Sequence, residues 1–421
     1  MRRWLTILLL LACAAGARAY SVLTHEAVID AAWDRSIKPL LLARFPGATP
    51  EELLKAHAYA YGGCIIQDMG YYPFGSKFFS DLVHYVRSGD FVEALIRESQ
   101  DVDEYAFALG ALAHYAADNN GHPIATNLAV AIMYPKLRAK YGDRITYAQN
   151  PGAHLKTEFG FDVVQVANGH YAPEAYHDFI GFEVAKPLLE RAFLSTYGIE
   201  LKDVFGDLDL ALGTYRYSVK SVLPTMTKAA WAAKQQQIVH DMPGMTRRRF
   251  VYNLSRSSYR KEWGARYEQL GWLHRFLAFL FNLLPKIGPL STLSFKPPNQ
   301  QTELLFMSSF NATLVRYRKL LEETEGGSVR LPNENLDVGR LTRAGGYSLA
   351  DSTYASLLDK LAKRHYTGVA PELRAAILDY YTDLSGPIAT KKHRRAWQKT
   401  LEELQQLKSV TTQVNTGAAT P

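Results

Sequence analysis

The chain has 421 residues, 47% of them hydrophobic, and a formal charge of +7, enough for a sizeable core in one large domain or two ordinary ones. Once Arg2, Arg3 and Arg18 leave with an N-terminal leader the charge falls to +4, too mild to indicate a nucleic-acid binder. Cys64 is then the only cysteine, which excludes an intramolecular disulfide and leaves an exported protein to rest on its core or on bound metal.

The leader is MRRWLTILLLLACAAGARA, two arginines before an apolar run and Ala17-Arg18-Ala19 as a small-x-small cleavage site. It reads as a secretory signal over residues 1–19, too short to span a bilayer comfortably, and implies a secreted or periplasmic protein beginning at Tyr20. Leu10-Leu11-Ala12-Cys13 also resembles a lipoprotein site, where processing would lipidate Cys13 and leave Tyr20 within the chain.

Apolar positions Val28, Ala31, Ala32, Ile37, Leu40 and Leu41 predict a helix broken or bent near Ser36 and Pro39. Pro50-Glu51-Glu52 opens a second helix, predicted to end at Gly62-Gly63, before an aromatic loop that carries Asp68, Tyr71, Tyr72 and Phe74. Tyr71, Tyr72 and Phe74 are candidates to line a substrate cleft, where an aromatic face can hold a quaternary ammonium or stack a base. Phe78, Phe79, Leu82, Val83 and Val86 form the next stripe, with His84 inside it; Phe78 and Phe79 read as core. A short helix follows Gly89.

The stretch Val102–Asn127 reads as a helix of small and apolar residues with Gly121-His122-Pro123 at its end. His114 and Asp118 stand four apart, on one helical face, and His122 follows four later. Imidazole and carboxylate at that spacing can converge on one ion. His154 and Glu158 repeat it on another predicted helix. Helices are then predicted over 172–197, 201–222 and 224–238, and later over 302–323, 352–364, 371–382 and 391–407, with 326–349 irregular and the polar residues 409–421 a disordered tail. Residues 270–284 (LGWLHRFLAFLFNLL) are apolar nearly all round: a buried helix on the bland reading, a peripheral membrane contact on the sharper one. His57 reads as a hydrogen-bonded structural residue.

The ordered set His25, Asp68, His84, His114, Asp118, His122, His154 and Glu158 resembles the zinc-dependent phospholipase C family and the related fungal single-strand nucleases. The resemblance implies an all-α, multi-helical phospholipase C/nuclease-like bundle with three Zn²⁺ ions in a cleft. It places one ion on Asp68, His84 and His114. Asp118 bridges to a second on His25 and the free amine and carbonyl of Tyr20, and a third lies on His122, His154 and Glu158. It makes Asp68 the general base as well as a ligand. Three features depart from the family pattern: Tyr stands at the mature first position in place of Trp, four residues rather than six separate Asp118 from His122, and Glu158 follows the phospholipases where the nucleases tend to have Asp. The implied organisation is a catalytic domain over 20–235 and a helical C-terminal region over 236–408. The implied function is an exported monomeric phosphodiesterase, acting on phospholipid and forming no stable nucleic-acid complex. The alternatives are a nuclease or nucleotidase of the same fold, and a catalytically silent zinc-stabilised binding protein.

Overall fold

In the computed structural model the described residues are 22–168, 182–219, 296–327 and 329–410, with scattered positions between 231 and 247. Tyr20, Cys13 and residues 270–284 lie outside them. Among the described residues the regular structure is helical apart from one ribbon of two-residue strands, in line with the all-α expectation.

Helix α1 (Val22–Ala32) passes through a π turn at Trp33–Ile37 into α2 (Lys38–Arg44), which accounts for the bend expected near Ser36 and Pro39. Helix α3 (Pro50–Ile65) starts at a capping box in which Thr49 and Glu52 satisfy each other's backbone N–H. It does not stop at Gly62-Gly63, because those glycines serve packing rather than termination. A Cβ on Gly63 would lie 1.9 Å from the Phe107 carbonyl oxygen, and one on Gly62 1.7 Å from that of Glu183.

A 3-10 turn, Ile66–Tyr71, leads to α4 (Lys77–Tyr85) and α5 (Ser88–Glu98). The central helix α6 (Val102–Gly121) is buried on nearly every side, which explains its small, apolar composition. Gly110 meets α3 so closely that a Cβ would come within 2.1 Å of the Ala60 carbonyl oxygen. The α-helix ends at Gly121, as expected, but the chain does not leave the helical path there: a π turn, His122–Thr126, runs on into α7 (Asn127–Met133). Pro123 lacks an N–H for the Asn119 carbonyl, so the ladder widens there rather than breaking.

Helices α8 (Pro135–Tyr141) and α9 (Pro151–Asn168) follow. The helix expected over 172–197 is described only as α10 (Lys186–Tyr197), preceded by the non-helical stretch Phe182–Ala185. That expected over 201–222 is a 3-10 turn and α11 (Leu208–Tyr217).

The C-terminal region joins the same core. Helix α12 (Gln300–Glu325) lies along α6, with the Tyr317 hydroxyl donating to the Leu109 carbonyl at 2.9 Å. Residues expected to be irregular contain an antiparallel ribbon of β1 (Glu334–Asn335) and β2 (Arg340–Leu341). Helices α13 (Ser348–Lys363), α14 (Pro371–Tyr380) and α15 (Arg394–Ser409) complete the chain. Among the described residues no helix is long and apolar enough to cross a membrane.

Candidate metal centre

Helix α6 places His114 and Asp118 one turn apart, and every other described candidate ligand arrives from an element packed around it. Asp68 comes from the 3-10 turn after α3, which the Ser80 hydroxyl pins by accepting the Gly70 N–H at 2.9 Å. His84 projects from α4. His25 sits in the first turn of α1, whose N-terminus is held by the Asp162 carboxylate of α9 through the Leu23 and Thr24 amides at 3.0 and 3.1 Å. His154 and Glu158 lie one turn apart on α9, and His122 begins the π turn. None of these eight side chains is more than 3% exposed.

They form three donor sets, the first two sharing His114: His25, His114 and Asp118; Asp68, His84 and His114; and His122, His154 and Glu158. Asp118 has one oxygen for each side. Its Oδ1 lies 3.5 Å from His25 Nε2, and its Oδ2 lies 3.2 Å from His114 Nε2 and 3.4 Å from His84 Nε2. Asp68 Oδ1 is 3.4 Å from the same His84 nitrogen. In the third set His154 Nδ1 and His122 Nδ1 stand 3.5 and 4.0 Å from Glu158 Oε1.

The ring nitrogens show what these sets are suited to hold. His84 Nδ1 lies 2.7 Å from the Ser80 carbonyl, His114 Nδ1 2.9 Å from that of Cys64, and His154 Nε2 2.5 Å from that of Ile145. A carbonyl only accepts, so those nitrogens carry the proton and the opposite nitrogens turn lone pairs toward the cluster. His84 and His114 thus bring their Nε2 atoms within 3.2 Å of each other. Two facing lone pairs repel unless a cation, a proton or a metal ion, lies between them. The carboxylates add to this: both oxygens of Asp68, Asp118 and Glu158 are buried without a hydrogen-bond partner, a costly arrangement unless a cation compensates. Neutral imidazole with carboxylate is a donor set that suits zinc.

The electrostatics agree. Burial pushes the His84 imidazole down, but Asp118 and Asp68 outweigh it and raise it to about 10. Burial also lowers His122, and Asp337, Asp118 and Glu158 draw it up to about 9. His25, lowered to about 3 by burial and by His114, is a neutral imidazole. A field that keeps protons on two buried imidazoles equally favours a metal cation in their place.

Asp337, in the loop between β1 and β2, also reaches this cluster. It is 2% exposed, and its Oδ1 lies 3.1 Å from His122 Nδ1. No spacing in the sequence points to it: it lies in a stretch with Asn, Pro and Gly and no other candidate ligand nearby in sequence, and it meets Tyr147 across 190 positions. Of the aromatic candidates, Tyr71 lies by the centre, its ring 5.9 Å from that of His84 and 6.2 Å from that of Tyr147. Tyr72 instead packs on Tyr215 at 4.0 Å, within the core. Phe74 is half-buried with φ of 63°. Phe79 is core, as expected, whereas Phe78 is only half-buried, with Lys360 over its ring. His57 stacks on Trp33 at 3.8 Å and pairs with Asp30 at 3.1 Å, in keeping with a structural role.

No curated protein and no solved structure matches the chain significantly. The family model for zinc dependent phospholipase C matches residues 24–207, a span that contains all eight described candidate ligands but not Asp337. Over residues 24–207 the chain is thus similar to the zinc-dependent phospholipase C family.

Proposed function

We propose that the chain is a three-zinc phosphodiesterase of phospholipase C type, hydrolysing phospholipids to diacylglycerol and a phosphorylated headgroup. One observation carries the reading: Asp118 turns a separate oxygen to each of two adjoining donor sets, an arrangement suited to two ions acting on one phosphate. Zinc bound there would acidify a shared water to a pKa of about 7 and offset charge on phosphoryl oxygens. The chain's own residues do the positioning. Asp118 fixes the separation of the two sets. The backbone carbonyls behind His84, His114 and His154 hold each ring in the tautomer that faces inward. Asp68 has two carboxylate oxygens free of hydrogen bonds, so it can accept a proton from water; its family resemblance gives it that role. The Tyr71 and Tyr147 rings beside the centre provide aromatic surface for a headgroup.

The near-complete burial of the donors favours a second reading, a zinc-stabilised protein without turnover. Metal analysis combined with parallel assays on phosphatidylcholine and single-stranded DNA separates the cases. Zinc with diacylglycerol release is the expected result. DNA cleavage without lipid hydrolysis would move the chain to the nuclease branch. Zinc with neither activity supports the silent protein, and absence of zinc after refolding with zinc overturns the metal reading itself.

A further inference from the structure

Four histidines of the centre have a polar neighbour at each ring nitrogen. In His84, His114 and His154 the nitrogen turned away from the cluster rests on a backbone carbonyl. His122 differs. Its Nε2 faces Asp118 Oδ2 at 3.8 Å, and its Nδ1, 4.0 Å from Glu158 Oε1, stands 3.1 Å from Asp337 Oδ1. Neither His122 Nδ1 nor Asp337 Oδ1 makes a hydrogen bond, to the other or elsewhere, so the two converge as the other donor pairs of the cluster do.

Asp337 is held firmly for this task. Its other oxygen accepts from the Tyr147 amide at 3.0 Å and the Tyr347 hydroxyl at 2.7 Å. Its carbonyl accepts from Asn127 Nδ2 at 2.8 Å, and its amide donates to Asn335 Oδ1 at 3.0 Å. The neighbouring Leu336 amide donates to the carbonyl of His84, itself a candidate ligand, at 3.1 Å. Gly339, at φ +63°, sits against the π turn so closely that a Cβ would lie 3.0 Å from the Asn119 carbonyl oxygen and 3.2 Å from Pro123. That is the carbonyl which Pro123 leaves without its usual helical donor. The ribbon is thus docked on the same irregularity that carries His122.

We propose that Asp337 is a donor of the third metal site, set beside the His122 Nδ1 that also faces Glu158, so that the C-terminal region completes a site whose other ligands all lie within residues 24–207. Protein zinc sites are commonly four-coordinate, and Asp337 would add a fourth side-chain donor to His122, His154 and Glu158. It also adds a negative charge where His122, His154 and Glu158 together supply only one. The proposal rests on the zinc reading above.

Asp337→Asn tests it, because the amide oxygen can keep the Tyr147 and Tyr347 contacts while the charge beside His122 is lost. Wild-type protein and variant are dialysed against a zinc-buffering chelator and their metal content measured. The variant is expected to hold one zinc fewer per chain, with at least tenfold weaker binding at that site. The rise in melting temperature on adding zinc is expected to shrink, while the zinc-free melting temperatures stay alike. Full occupancy with unchanged affinity, or an equal loss of stability with and without zinc, overturns the proposal. Wild-type protein that binds no zinc overturns the underlying metal reading instead. Should the variant not fold, the zinc-loaded wild-type crystal structure decides. An Asp337 oxygen within bonding distance of the ion held by His122, His154 and Glu158 is expected, and Asp337 turned away from that ion refutes it.

Discussion

Asp118 is approached by four imidazoles, those of His25, His84, His114 and His122. Burial pushes its carboxyl up, yet the histidines led by His114 outweigh this and hold it well below the usual carboxylate range. Because its two oxygens serve different donor sets, Asp118→Ala should remove two ions, whereas His25→Ala should remove one. Elemental analysis of the two variants decides, and equal losses would show that the carboxylate is not shared. The sequence makes this residue legible because helical periodicity converts a four-residue spacing into a shared face, for His114 with Asp118 and for His154 with Glu158. Asp337 has no such local signature. It reaches the centre only through tertiary packing of a loop on α4, α6 and α7, which no local spacing encodes. The same limit applied to Tyr71 and Tyr72, neighbours in sequence that the 3-10 turn sends to different places.

Between elements, the closeness of α3 and α6 sets the distance from Asp68 to His114. Gly63 and Gly110 permit it, each presenting backbone where any side chain would strike a carbonyl oxygen. Gly63→Ala and Gly110→Ala should each cost about 1–3 kcal/mol or more, the usual range for overpacking, and should reduce zinc content by moving α3 away from α6. Gly47→Ala, where a Cβ meets nothing within 4 Å, should leave both properties unchanged. Thermal melts with metal analysis check all three, and a neutral Gly63→Ala would contradict the packing argument. Read from sequence, Gly62-Gly63 suggests a helix end, since the flexibility that terminates helices and the smallness that lets them touch come in one residue. At the other end of the chain α13 and α15 are clasped by Asp359, which meets Lys363 at 2.7 Å and also contacts Lys399. Burial pushes the Asp359 carboxyl up, but the two ammonium groups outweigh it and leave it below the ordinary 3.8. A folded value below the unfolded one contributes stability above pH 3.8, which is lost as pH falls through the folded value. Asp359→Asn should therefore cost about 0.2–1 kcal/mol at neutral pH, as exposed pairs do. Denaturant melts should show the deficit shrinking below a pH of about 4, and a constant deficit across pH would argue against the ion pairs as its cause.

At the scale of the whole molecule, the family resemblance implies a division of the chain near residue 235, but the packing crosses that line. Helix α12 buries Phe306, Phe310, Tyr317, Leu320 and Leu321 in the core that also contains α6. The Phe306 ring lies against that of Phe161 at 4.8 Å, on the same helix α9 that carries His154 and Glu158. The Tyr115 hydroxyl of α6 donates to the Pro332 carbonyl at 2.7 Å. Fully burying a large apolar side chain stabilises by about 1.5–3 kcal/mol. Five of them are comparable with the net stability of roughly 5–15 kcal/mol that a folded domain possesses. A chain of residues 20–235 should therefore lack a cooperative melting transition and expose apolar surface, even though it contains the whole family span. Zinc does not rescue it on this view, because the missing contribution is core burial along α6 as well as the Asp337 donor. Calorimetry of residues 20–235 with and without zinc makes the test. A sharp transition in the zinc-free fragment would make residues 236–408 a separable domain. A transition that appears only with zinc would instead mean that the ligands of the family span can hold α6, α9 and α4 together without the C-terminal cover.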